Sequence, residues 1–515
     1  MKKDAILNSE IFDVIVVGYG FAGAISAITA SDEGAHVLLL EKMPFPGGIS
    51  MTSGGGFAVG KEVEGVYLYL TRTNLNTTPD SVNRAMARGM TELPQFIRYL
   101  EEKSDIKFGD DMRSKIDPGS HNLYPFPGAE SISSMKIGPD TKFKGFPWCR
   151  GMRGGARLFK LVMNNVEARN IEVRLNSPVH DLITDNSGCV IGVRSSKEGT
   201  SGKQAQISYL ARRGVILACG GFENNDEMKR QFLNLQPVYY VVANGNTGDG
   251  IKMAQKAGAK LWHMWHFHGS YGFKFPEYDF AFRHSIAGPR VPSRKMPWIL
   301  LDKYGNRFMN EYPFAVQDTP IRDLSYYDPE RQEYPRIPAI LLFDEEGRKT
   351  RPVGFPIFTG MDCQEYQWSE DNLKEVEKGW IHRAASLEDL AEQLNMPQEK
   401  LKQTLHRWNN MCEKKKDEDY ERLPGTMMPI VSLPFYWMES WPIVNNTQGG
   451  PVHDEFQRVV SAGDVPIPRL YAAGELGSLF GHLYMEAGNV AECFVSGRIA
   501  GKHVTRLTPL NITDL

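Results

Sequence analysis

The sequence predicts an α/β fold, with a doubly wound domain built from both ends of the chain and a second domain inserted between them. With 515 residues the chain is too long for one compact core. Residues 12–17 (FDVIVV) form a β-branched run of the kind buried in a parallel sheet, and an Ala-rich helix is predicted at 21–31. A strand at 470–473 and a long helix from about Asn489 to Val504 restore this pattern near the C-terminus.

The elements between these ends are predicted from the same periodicities. Residues 36–41 (HVLLLE) form a second strand and complete a strand–helix–strand unit of about 30 residues. A helix is predicted at 154–169, and from about Gly269 aromatic residues and prolines stand in irregular segments. Ser386 opens a helix with an S-x-x-D cap, and another helix starts near Pro397. Further strands are predicted at 171–175, 190–194 and 215–218.

Composition excludes several functional classes. The net charge is −3 with dispersed Lys and Arg residues, so no basic surface for nucleic acid or an anionic membrane is expected. The six cysteines form no C-x-x-C pair, which argues against iron–sulfur, zinc-ribbon and c-type haem sites and suits a reducing compartment. No run of about 18 apolar residues is present to span a bilayer. We therefore expect a cytoplasmic protein with no transmembrane segment.

A glycine motif follows the first strand. Residues 18–23 (GYGFAG) match G-x-G-x-x-G, after a strand and at the start of a helix. Gly18 allows a tight turn, Gly20 lets the backbone approach a pyrophosphate at the helix N-terminus, and Gly23 lets the helix pack closely on the strand. Glu41, 18 residues beyond Gly23, is placed to accept hydrogen bonds from both ribose hydroxyls and to repel a 2′-phosphate.

A second loop of small residues favours FAD over NAD. Residues 42–48 (KMPFPGG) are followed by Ser50, Ser53 and three glycines, where an NAD domain would continue with an ordinary helix. The alternative is a plain glycine-rich turn. The segment 215–222 (VILACGGF) ends a strand in two glycines suited to passing beneath the ADP moiety. The predicted cofactor-binding residues are Gly18, Gly20, Phe21, Ala22, Gly23, Glu41, Lys42, Gly47, Gly48, Ser50, Ser53, Gly54, Gly55, Val179, Ala218, Gly220, Gly221, Gly474, Glu475, Asn489 and Val490.

Five segments carry a family resemblance. EKMPFPGGISMTSGGGF, VILACGGFENN, NTGDGIKMAQKAGA, GNRFMNE and YAAGE with AGNVAECFVSGRIAG occur in order between residues 12 and 503. Together they resemble the fumarate reductase/3-ketosteroid dehydrogenase superfamily of flavoproteins. The resemblance implies a glutathione-reductase-like Rossmann FAD-binding domain (1–268 and 438–515) with an inserted α+β substrate-capping domain (269–437). It also implies non-covalent FAD, because residues 49–51 (ISM) stand where covalent members carry a histidine.

Two positions separate the chain from the fumarate reductases it resembles. Those enzymes carry H-G-x-N-R-L-G-G-N near the C-terminus, and residues 481–489 here read GHLYMEAGN, with Met485 in place of the Arg that clamps a substrate carboxylate. Their proton-donating Arg falls eight residues beyond the position of Arg307, where this chain has Ala315. A dicarboxylate site cannot readily do without both cations, so fumarate and succinate are not the expected substrates.

The same C-terminal segment is closer to the 3-ketosteroid dehydrogenases. Where they have F-Y-P-G-P-G, this chain has LYMEAG, and the resemblance implies that the Tyr484 hydroxyl and the Gly488 N–H bind the substrate 3-keto oxygen. The alternative is that Tyr484 only packs in a core. The catalytic base of that family is a Tyr that follows Pro, but this chain has Phe314 there. Tyr312, two residues before Phe314, is a candidate to replace this base, although a shift of two residues usually turns a side chain to another face. Tyr124 is a third aromatic candidate for the active site.

The remaining polar clusters each have a structural and a functional interpretation. His263, His266 and His268 lie in WHMWHFH, but nothing nearby has zinc spacing, so we expect no metal. His266 or His268 is a candidate to line the pocket; the alternative is an interdomain aromatic strand. Asp249 is expected to cap the helix that follows it.

The sequence thus predicts an FAD enzyme that moves a hydride between the flavin and a carbon β to the ketone of a bulky substrate, such as a steroid, with an external electron donor or acceptor. One alternative is a fumarate-reductase-like ene-reductase for another unsaturated acid or an enone, with Arg153 or Arg157 as its cation. The other is an FAD-binding protein without turnover.

Overall fold

The computed structural model describes residues 9–107, 123–137, 143–150, 153–198, 204–241, 245–286, 291–313, 315, 318–355, 357–358, 365–485 and 487–511. Its strands are β1 (Glu10–Val17), β2 (Val37–Leu40), β3 (Gly56–Gly60), β4 (Ile132–Lys136), β5 (Gly145–Phe146), β6 (Cys149–Arg150), β7 (Glu172–Arg174), β8 (Val179–Thr184), β9 (Val190–Glu198), β10 (Gln204–Leu217), β11 (Tyr239–Tyr240), β12 (Leu261–Trp262), β13 (Phe267–Lys274), β14 (Ala281–Arg283), β15 (Ile299–Leu301), β16 (Ala339–Asp344), β17 (Ile357–Phe358), β18 (Glu365–Tyr366), β19 (His382–Ala384), β20 (Phe435–Thr447), β21 (Gly450–Pro451), β22 (Arg458–Val460) and β23 (Pro466–Ala472).

The helices connect and cover these strands. They are α1 (Phe21–Asp32), α2 (Val63–Asn74), α3 (Asp80–Glu102), α4 (Arg153–Ala168), α5 (Asp226–Phe232), α6 (Asp249–Lys256), α7 (Thr319–Leu324), α8 (Glu345–Thr350), α9 (Leu373–Glu377), α10 (Leu387–Leu394), α11 (Gln398–Glu413) and α12 (Gly488–Val504). Among the described residues, no helix is both long enough and apolar enough to cross a membrane.

The first sheet is the doubly wound sheet that the sequence predicts. Its strands run in the order β22-β23-β10-β1-β2-β7, with β9 joined to β10 and β8 to β9. Strand β1 pairs in parallel with both β2 and β10, and β10 pairs in parallel with β23. Val14, Ile15 and Val16 are fully buried because helices and loops cover both faces of the sheet, as continuous apolar strands require. The predicted α/β fold is confirmed.

Helices α1 and α12 lie together on one face of this sheet because small residues let their backbones approach. A Cβ atom on Gly497 would lie 2.6 Å from the carbonyl oxygen of Ala22, and one on Gly501 equally close to that of Ser26. The last helix of the chain therefore rests on the helix that follows the glycine motif. This contact brings the two ends of the chain to one site.

The second sheet is built around the long strand β20. Its order is β14-β13-β20-β16-β15, and β11 and β19 also pair with β20. Most of its pairings are antiparallel, including β13 with β20, which sets His268 opposite Asn446. At one end of α10 the Ser386 hydroxyl accepts the N–H of Asp389 at 3.2 Å, so the predicted S-x-x-D cap is confirmed.

Candidate active site

The glycine turn after β1 requires its glycines. Gly18 has a φ of +104°, and a Cβ atom there would lie 2.3 Å from the carbonyl oxygen of Ala218. A Cβ atom on Gly23 would lie 1.8 Å from the Gly18 oxygen, so any side chain would separate α1 from the strand. Gly20 is the N-cap of α1 and has no side chain to cap it, which leaves the N-terminus of a buried helix available to a phosphate. These residues fit the predicted pyrophosphate cradle.

Glu41 lies at the end of β2, held by the backbone. Its two carboxylate oxygens accept the N–H groups of Tyr19 and Met43, each at 2.9 Å. Burial raises the pKa of this carboxyl, while the two hydrogen bonds and the neighbouring Lys42 act to lower it. A carboxylate has about four lone-pair sites, so the fixed group can still accept ribose hydroxyls.

Lys42 makes a contact that the sequence did not reveal. Its Nζ atom lies 2.7 Å from Asp249 Oδ2 and 2.8 Å from Thr247 Oγ1. The prediction that Asp249 caps its helix is wrong, because the N-cap is Gly248 and Asp249 is the first helical residue. The carboxylate binds the distant lysine instead of its own helix N-terminus.

The second small-residue loop packs directly on the first. The Gly47 N–H donates to Tyr19 O at 2.8 Å, and Ser50 Oγ accepts the Phe21 N–H at 3.0 Å. Residues Gly48–Thr52 form a 3-10 turn. Gly54 and Gly55 follow, and a Cβ atom on Gly55 would lie 2.4 Å from the carbonyl carbon of Gly154 at the start of α4. The loop is therefore joined to the glycine motif, as expected for two parts of one cofactor site.

Three further predicted cofactor-binding residues, Ser53, Val179 and Ala218, contact neighbouring parts of the chain. Ser53 O accepts the Gly155 N–H at 2.9 Å, which ties the loop to α4. Val179, the first residue of β8, is 6% exposed and packs in the apolar cluster that includes Val17 and Leu40. Ala218 extends β10, its N–H donating to Val17 O at 2.8 Å.

Two buried carboxyl groups lie beside the turn at Gly220 and Gly221. Asn246 Nδ2 donates to Glu223 Oε1 at 2.7 Å and to Glu475 Oε2 at 3.1 Å. A Cβ atom on Gly221 would lie 2.6 Å from Glu475 Oε1 and 3.0 Å from Glu223 Oε2, so the two carboxyls face the same point. Burial and the mutual repulsion of the two groups raise the pKa of Glu475, and burial raises that of Glu223 to about 7. Two buried carboxyls this close together favour the state in which one of them is protonated.

The C-terminal residues predicted to bind the cofactor have different contacts. Gly474 donates its N–H to Ser496 Oγ at 2.8 Å, and a Cβ atom on it would lie 2.7 Å from Ala22 Cβ at the glycine-motif helix. The Asn489 side chain contacts the second sheet, because its Nδ2 lies 2.8 Å from His268 Nδ1 in β13. Val490 packs against the apolar cluster that contains α1.

Tyr484 and Tyr124 come together around one carboxylate. The Tyr124 hydroxyl donates to Asp318 Oδ2 at 3.2 Å, and the Tyr484 N–H faces the same oxygen at 3.4 Å. The Tyr484 ring is 7% exposed and lies edge-to-face on His268, with centroids 4.3 Å apart. His266 Nε2 lies 3.9 Å from Asp318 Oδ1. Part of the predicted site is thus assembled, and the neighbours of the Tyr124 segment at 121–122 lie outside the described residues.

Asp318 and Arg322 also belong to this group, although no motif in the sequence marks them. Arg322 Nη2 lies 3.2 Å from Asp318 Oδ1 and also donates to the carbonyl of His482. Burial alone would raise the pKa of Asp318, but interactions with His266 and Arg322 outweigh it and hold that pKa well below its ordinary value. The only sequence signal was an Asp and an Arg four residues apart at the start of a helix.

Tyr312 lies outside this group. Its hydroxyl accepts the Val291 N–H at 2.7 Å, and its ring is fully buried in the core of the second sheet. The preceding R-F-M-N-E motif forms an ion network, with Arg307 Nε and Nη2 each 2.7 Å from an oxygen of Glu311 and Nη2 also 2.7 Å from Asp417. Phe314, at the position of the family's base, lies outside the described residues.

Gly488 has an acceptor within the chain. Its N–H donates to Met485 O at 2.9 Å, which closes the turn that begins α12. A Cβ atom on Gly488 would lie 2.7 Å from the Phe480 ring. Met485, at the position of the carboxylate-clamping Arg, is fully buried among apolar residues. In this geometry the Gly488 N–H serves the turn.

The three histidines of the aromatic strand have separate roles. Both ring nitrogens of His263 face carbonyl oxygens, Ser478 O at 2.8 Å and Thr77 O at 3.1 Å. His266 and His268 lie with ring centroids 5.1 Å apart beside Tyr484. Over the described ranges of the chain, no three His, Cys, Asp or Glu side chains are grouped so that they could hold a metal ion.

Several known proteins resemble this chain over nearly its whole length. The 3-oxosteroid 1-dehydrogenase of Mycolicibacterium smegmatis is 28% identical across 94% of this chain and 95% of its own, and the urocanate reductase of Eggerthella lenta is 25% identical across 96% of this chain and 75% of its own. The crystal structure of the 3-ketosteroid delta1-dehydrogenase from Sterolibacterium denitrificans, in complex with 1,4-androstadiene-3,17-dione, matches with a TM-score of 0.78 at 21% identity, covering 96% of this chain and 100% of that one.

A flavocytochrome c3 fumarate reductase in its open conformation has the same fold, with a TM-score of 0.67 at 22% identity over 98% of this chain and 80% of that one. A family profile described as an FAD binding domain matches residues 13–490. The glycine cradle, the fixed Glu41 and the joined second loop accord with this match. The chain therefore belongs to the FAD binding domain family, and it is an FAD-dependent flavoprotein oxidoreductase.

Proposed function

We propose that this protein oxidises or reduces a carbon–carbon bond next to the ketone of a steroid or a similar polycyclic substrate. The position of Tyr484 carries the proposal. It is a largely buried tyrosine in the segment that contacts Asp318 and His268, with buried Met485 in place of a carboxylate-clamping cation. When bound, FAD supplies a two-electron carrier that exchanges a hydride with the substrate.

The chain's part in the chemistry is to stabilise charge on the ketone. In reduction, a hydride adds to the carbon β to the carbonyl and a proton to the α carbon; dehydrogenation removes the same two species. Both directions develop negative charge on the carbonyl oxygen, and a phenolic donor fixed beside it stabilises that charge. Tyr484 is the proposed donor and Tyr124, bonded to Asp318, is a proposed second contact.

We propose that the site accepts a bulky, largely neutral substrate. We propose residues 269–437 as the capping region, with the FAD-binding region on either side at 1–268 and 438–515. Within the group around Asp318 the charge of Arg322 is paired with that carboxylate. We further propose a cytoplasmic location and an external electron donor or acceptor. The five described cysteines, all free thiols, support the reducing location.

A second candidate is reduction of an unsaturated acid with a single carboxylate. Arg322 favours it, because it is a partly exposed guanidinium about one turn from Asp318, and a substrate carboxylate could compete for it. The similarity to a urocanate reductase also favours this second candidate.

Ligand binding to the oxidised holoprotein separates these candidates. We expect the flavin absorbance to be perturbed by 4-androstene-3,17-dione, and much less by the corresponding 3-hydroxysteroid, because the proposed contact is with a carbonyl oxygen. Fumarate and urocanate are the comparison ligands. Binding of urocanate without any response to the ketosteroid would overturn the proposal in favour of the second candidate.

A further inference from the structure

We propose that Arg294 and Arg351 form a subsite for one anionic group, a carboxylate or a sulfate, which the substrate carries at a distance from its ketone. This inference rests on the proposed function, because it adds an acidic substituent to the polycyclic substrate proposed above. It follows from two neighbouring guanidinium groups in the capping region, for which the described residues supply no carboxylate.

The Arg351 guanidinium is partly buried and incompletely bonded. Its Nη2 donates to the carbonyl oxygen of Ser285 at 3.2 Å. Its Nε is buried and has no hydrogen-bond partner in the part of the chain that the structure describes, and the same holds for the Ser285 hydroxyl. Proteins leave few such groups unsatisfied, so the two donors mark a place for an external acceptor. An anion with two or more oxygens fits them, because a guanidinium binds such groups through two N–H donors.

Arg294 adds a second positive charge at the same place. Burial, and then repulsion from Arg294, lower the pKa of the Arg351 guanidinium, and Tyr312 acts to raise it. Two like charges held together without a counterion are unfavourable, and a bound anion removes that repulsion. Both arginine side chains are partly exposed, so a ligand can reach them.

This arrangement differs from that of other arginines in the capping region. Arg307 contacts the carboxylates of Glu311 and Asp417, both at 2.7 Å, so its charge is neutralised within the chain. Over the ranges that the structure describes, neither Arg294 nor Arg351 forms an ion pair of this kind. Their positive charge therefore remains available to a ligand.

The backbone holds both arginines in place. The fully buried Asn372 amide donates to Arg351 O at 2.9 Å. The Arg294 N–H donates to Val291 O at 3.0 Å, and the Val291 N–H donates in turn to the Tyr312 hydroxyl at 2.7 Å. Because the backbone is already ordered, less conformational freedom is lost when an anion binds.

Strand β13 joins this subsite to the proposed ketone contacts. Burial, and then the charges of Arg283 and Arg351, lower the pKa of the adjacent His284 to about 3, so this ring adds no charge. His284 Nε2 lies 3.0 Å from Ser270 Oγ in β13. Ser270 is two residues beyond His268, about 7 Å along the strand, and the His268 ring lies against the proposed phenolic donor. A polycyclic substrate held by its neutral ketone end can therefore extend toward the two arginines.

Ligand binding to the oxidised holoprotein tests the subsite, with 3-oxo-4-cholenoic acid and its methyl ester as a pair that differs in one charge. We expect the acid to bind on the order of tenfold more tightly than the ester, measured by the perturbation of flavin absorbance. Arg351→Gln should abolish this difference by weakening the acid alone, and Arg294→Gln should reduce it. Arg383→Gln, at an exposed position of β19, should leave it unchanged.

Inorganic sulfate distinguishes a substrate group from a free anion. If sulfate raises the urea midpoint of the wild-type chain more than that of Arg351→Gln while acid and ester bind equally, the arginines hold a free anion only and the inference is wrong. It is also wrong if Arg351→Gln lowers the urea midpoint and keeps the preference for the acid, because the arginine is then structural. Should Arg351→Gln not fold, the acid preference of Arg294→Gln decides.

Turnover separates this inference from the proposed function. If the ester and 4-androstene-3,17-dione turn over and the acid is not preferred, the inference fails and the proposed function stands. If the acid binds more tightly through Arg351 but no ketone reacts with the flavin, the anion subsite stands and the proposed function fails.

Discussion

The hydroxyl of Tyr312 accepts a hydrogen bond from the backbone N–H of Val291 at 2.7 Å, and the tyrosine ring is fully buried. Tyr312 is the candidate in the sequence nearest to Phe314, the position at which the 3-ketosteroid dehydrogenases carry their catalytic base. The contact instead gives this hydroxyl a role in joining two loops of the second sheet.

Tyr312→Phe should therefore affect stability and spare catalysis. Losing one hydrogen bond to a partly exposed backbone N–H should lower the free energy of unfolding by about 1 kcal/mol. We expect turnover of a ketosteroid to change less than about twofold. Denaturant unfolding and steady-state kinetics on the same preparation measure both quantities. A loss of turnover on the order of 10²-fold with stability unchanged would instead restore Tyr312 as a base.

Tyr484→Phe should affect catalysis and spare stability. It removes one fixed donor to the ketone oxygen, and we expect kcat to fall on the order of 10²-fold or more. Tyr436→Phe is a matched control, because that hydroxyl donates to Glu345 at 2.8 Å, outside the group around Asp318. Equal effects of the two substitutions on kcat would show that Tyr484 only packs.

Gly20→Ala should reduce FAD binding without preventing folding. The added Cβ atom would lie 3.1 Å from the Ser50 hydroxyl, a side chain that can move, but it would occupy the surface on which the pyrophosphate rests. We expect purified Gly20→Ala to contain little FAD and to have a dissociation constant at least about tenfold higher, a loss of about 1.4 kcal/mol. Gly463→Ala, whose nearest atom would be 3.7 Å away, should keep full flavin content. Normal FAD binding by Gly20→Ala would contradict the assigned cradle.

Arg307→Met should unfold more easily while the folded fraction keeps its FAD. It removes the cation that buried Glu311 and Asp417 share and leaves Glu311 only Arg422, at 3.3 Å, a loss of about 3–5 kcal/mol. Arg331→Met breaks an ion pair with Asp328 whose Arg side chain is 56% exposed, and this should cost at most about 1 kcal/mol. Urea midpoints of the two variants measure the difference. Similar small losses would mean that the Arg307 network is not structural.

The raised pKa of Glu223 predicts that the free energy of unfolding depends on pH. Its pKa is raised from 4.5 to about 7 in the folded chain, chiefly by burial, so between these values the folded state binds more protons than the unfolded state. Stability should therefore decline as pH rises through this window. Because Glu223 and Glu475 face each other, the apparent pKa belongs to the pair.

Unfolding free energies of the holoprotein at a series of pH values test this. Glu223→Gln should make the decline shallower, with the remainder due to Glu475 and Glu492, whose pKa values burial also raises, whereas Glu62→Gln, at an exposed position, should leave it intact. A decline of the same size in Glu223→Gln would assign the pH dependence to other groups.

The cofactor half of the site was predictable because its signals are local. The G-x-G-x-x-G spacing and the strand–helix–strand order each lie within a few tens of residues, and Glu41 directly follows the second strand, one residue beyond its end. The group around Asp318 was not, because it is assembled from distant parts of the chain: Tyr124 and Asp318 are 194 residues apart, and Asn489 and His268 are 221 apart. Asp249 shows how such contacts override a local preference, since Lys42, 207 residues away, takes the carboxylate that a helix cap would use.

Rapid mixing of the holoprotein with substrates, followed by flavin absorbance, tests whether the protein transfers a hydride to or from a ketosteroid. We expect that 4-androstene-3,17-dione reoxidises the reduced flavin, or that a 3-ketosteroid reduces the oxidised flavin, and that Tyr484→Phe slows this step on the order of 10²-fold. Fumarate should leave the flavin absorbance unchanged on the same timescale, because Met485 and Ala315 replace both cations of the dicarboxylate site. Rapid turnover of fumarate with no response to any ketosteroid would show that the substrate is a dicarboxylate and not a ketone.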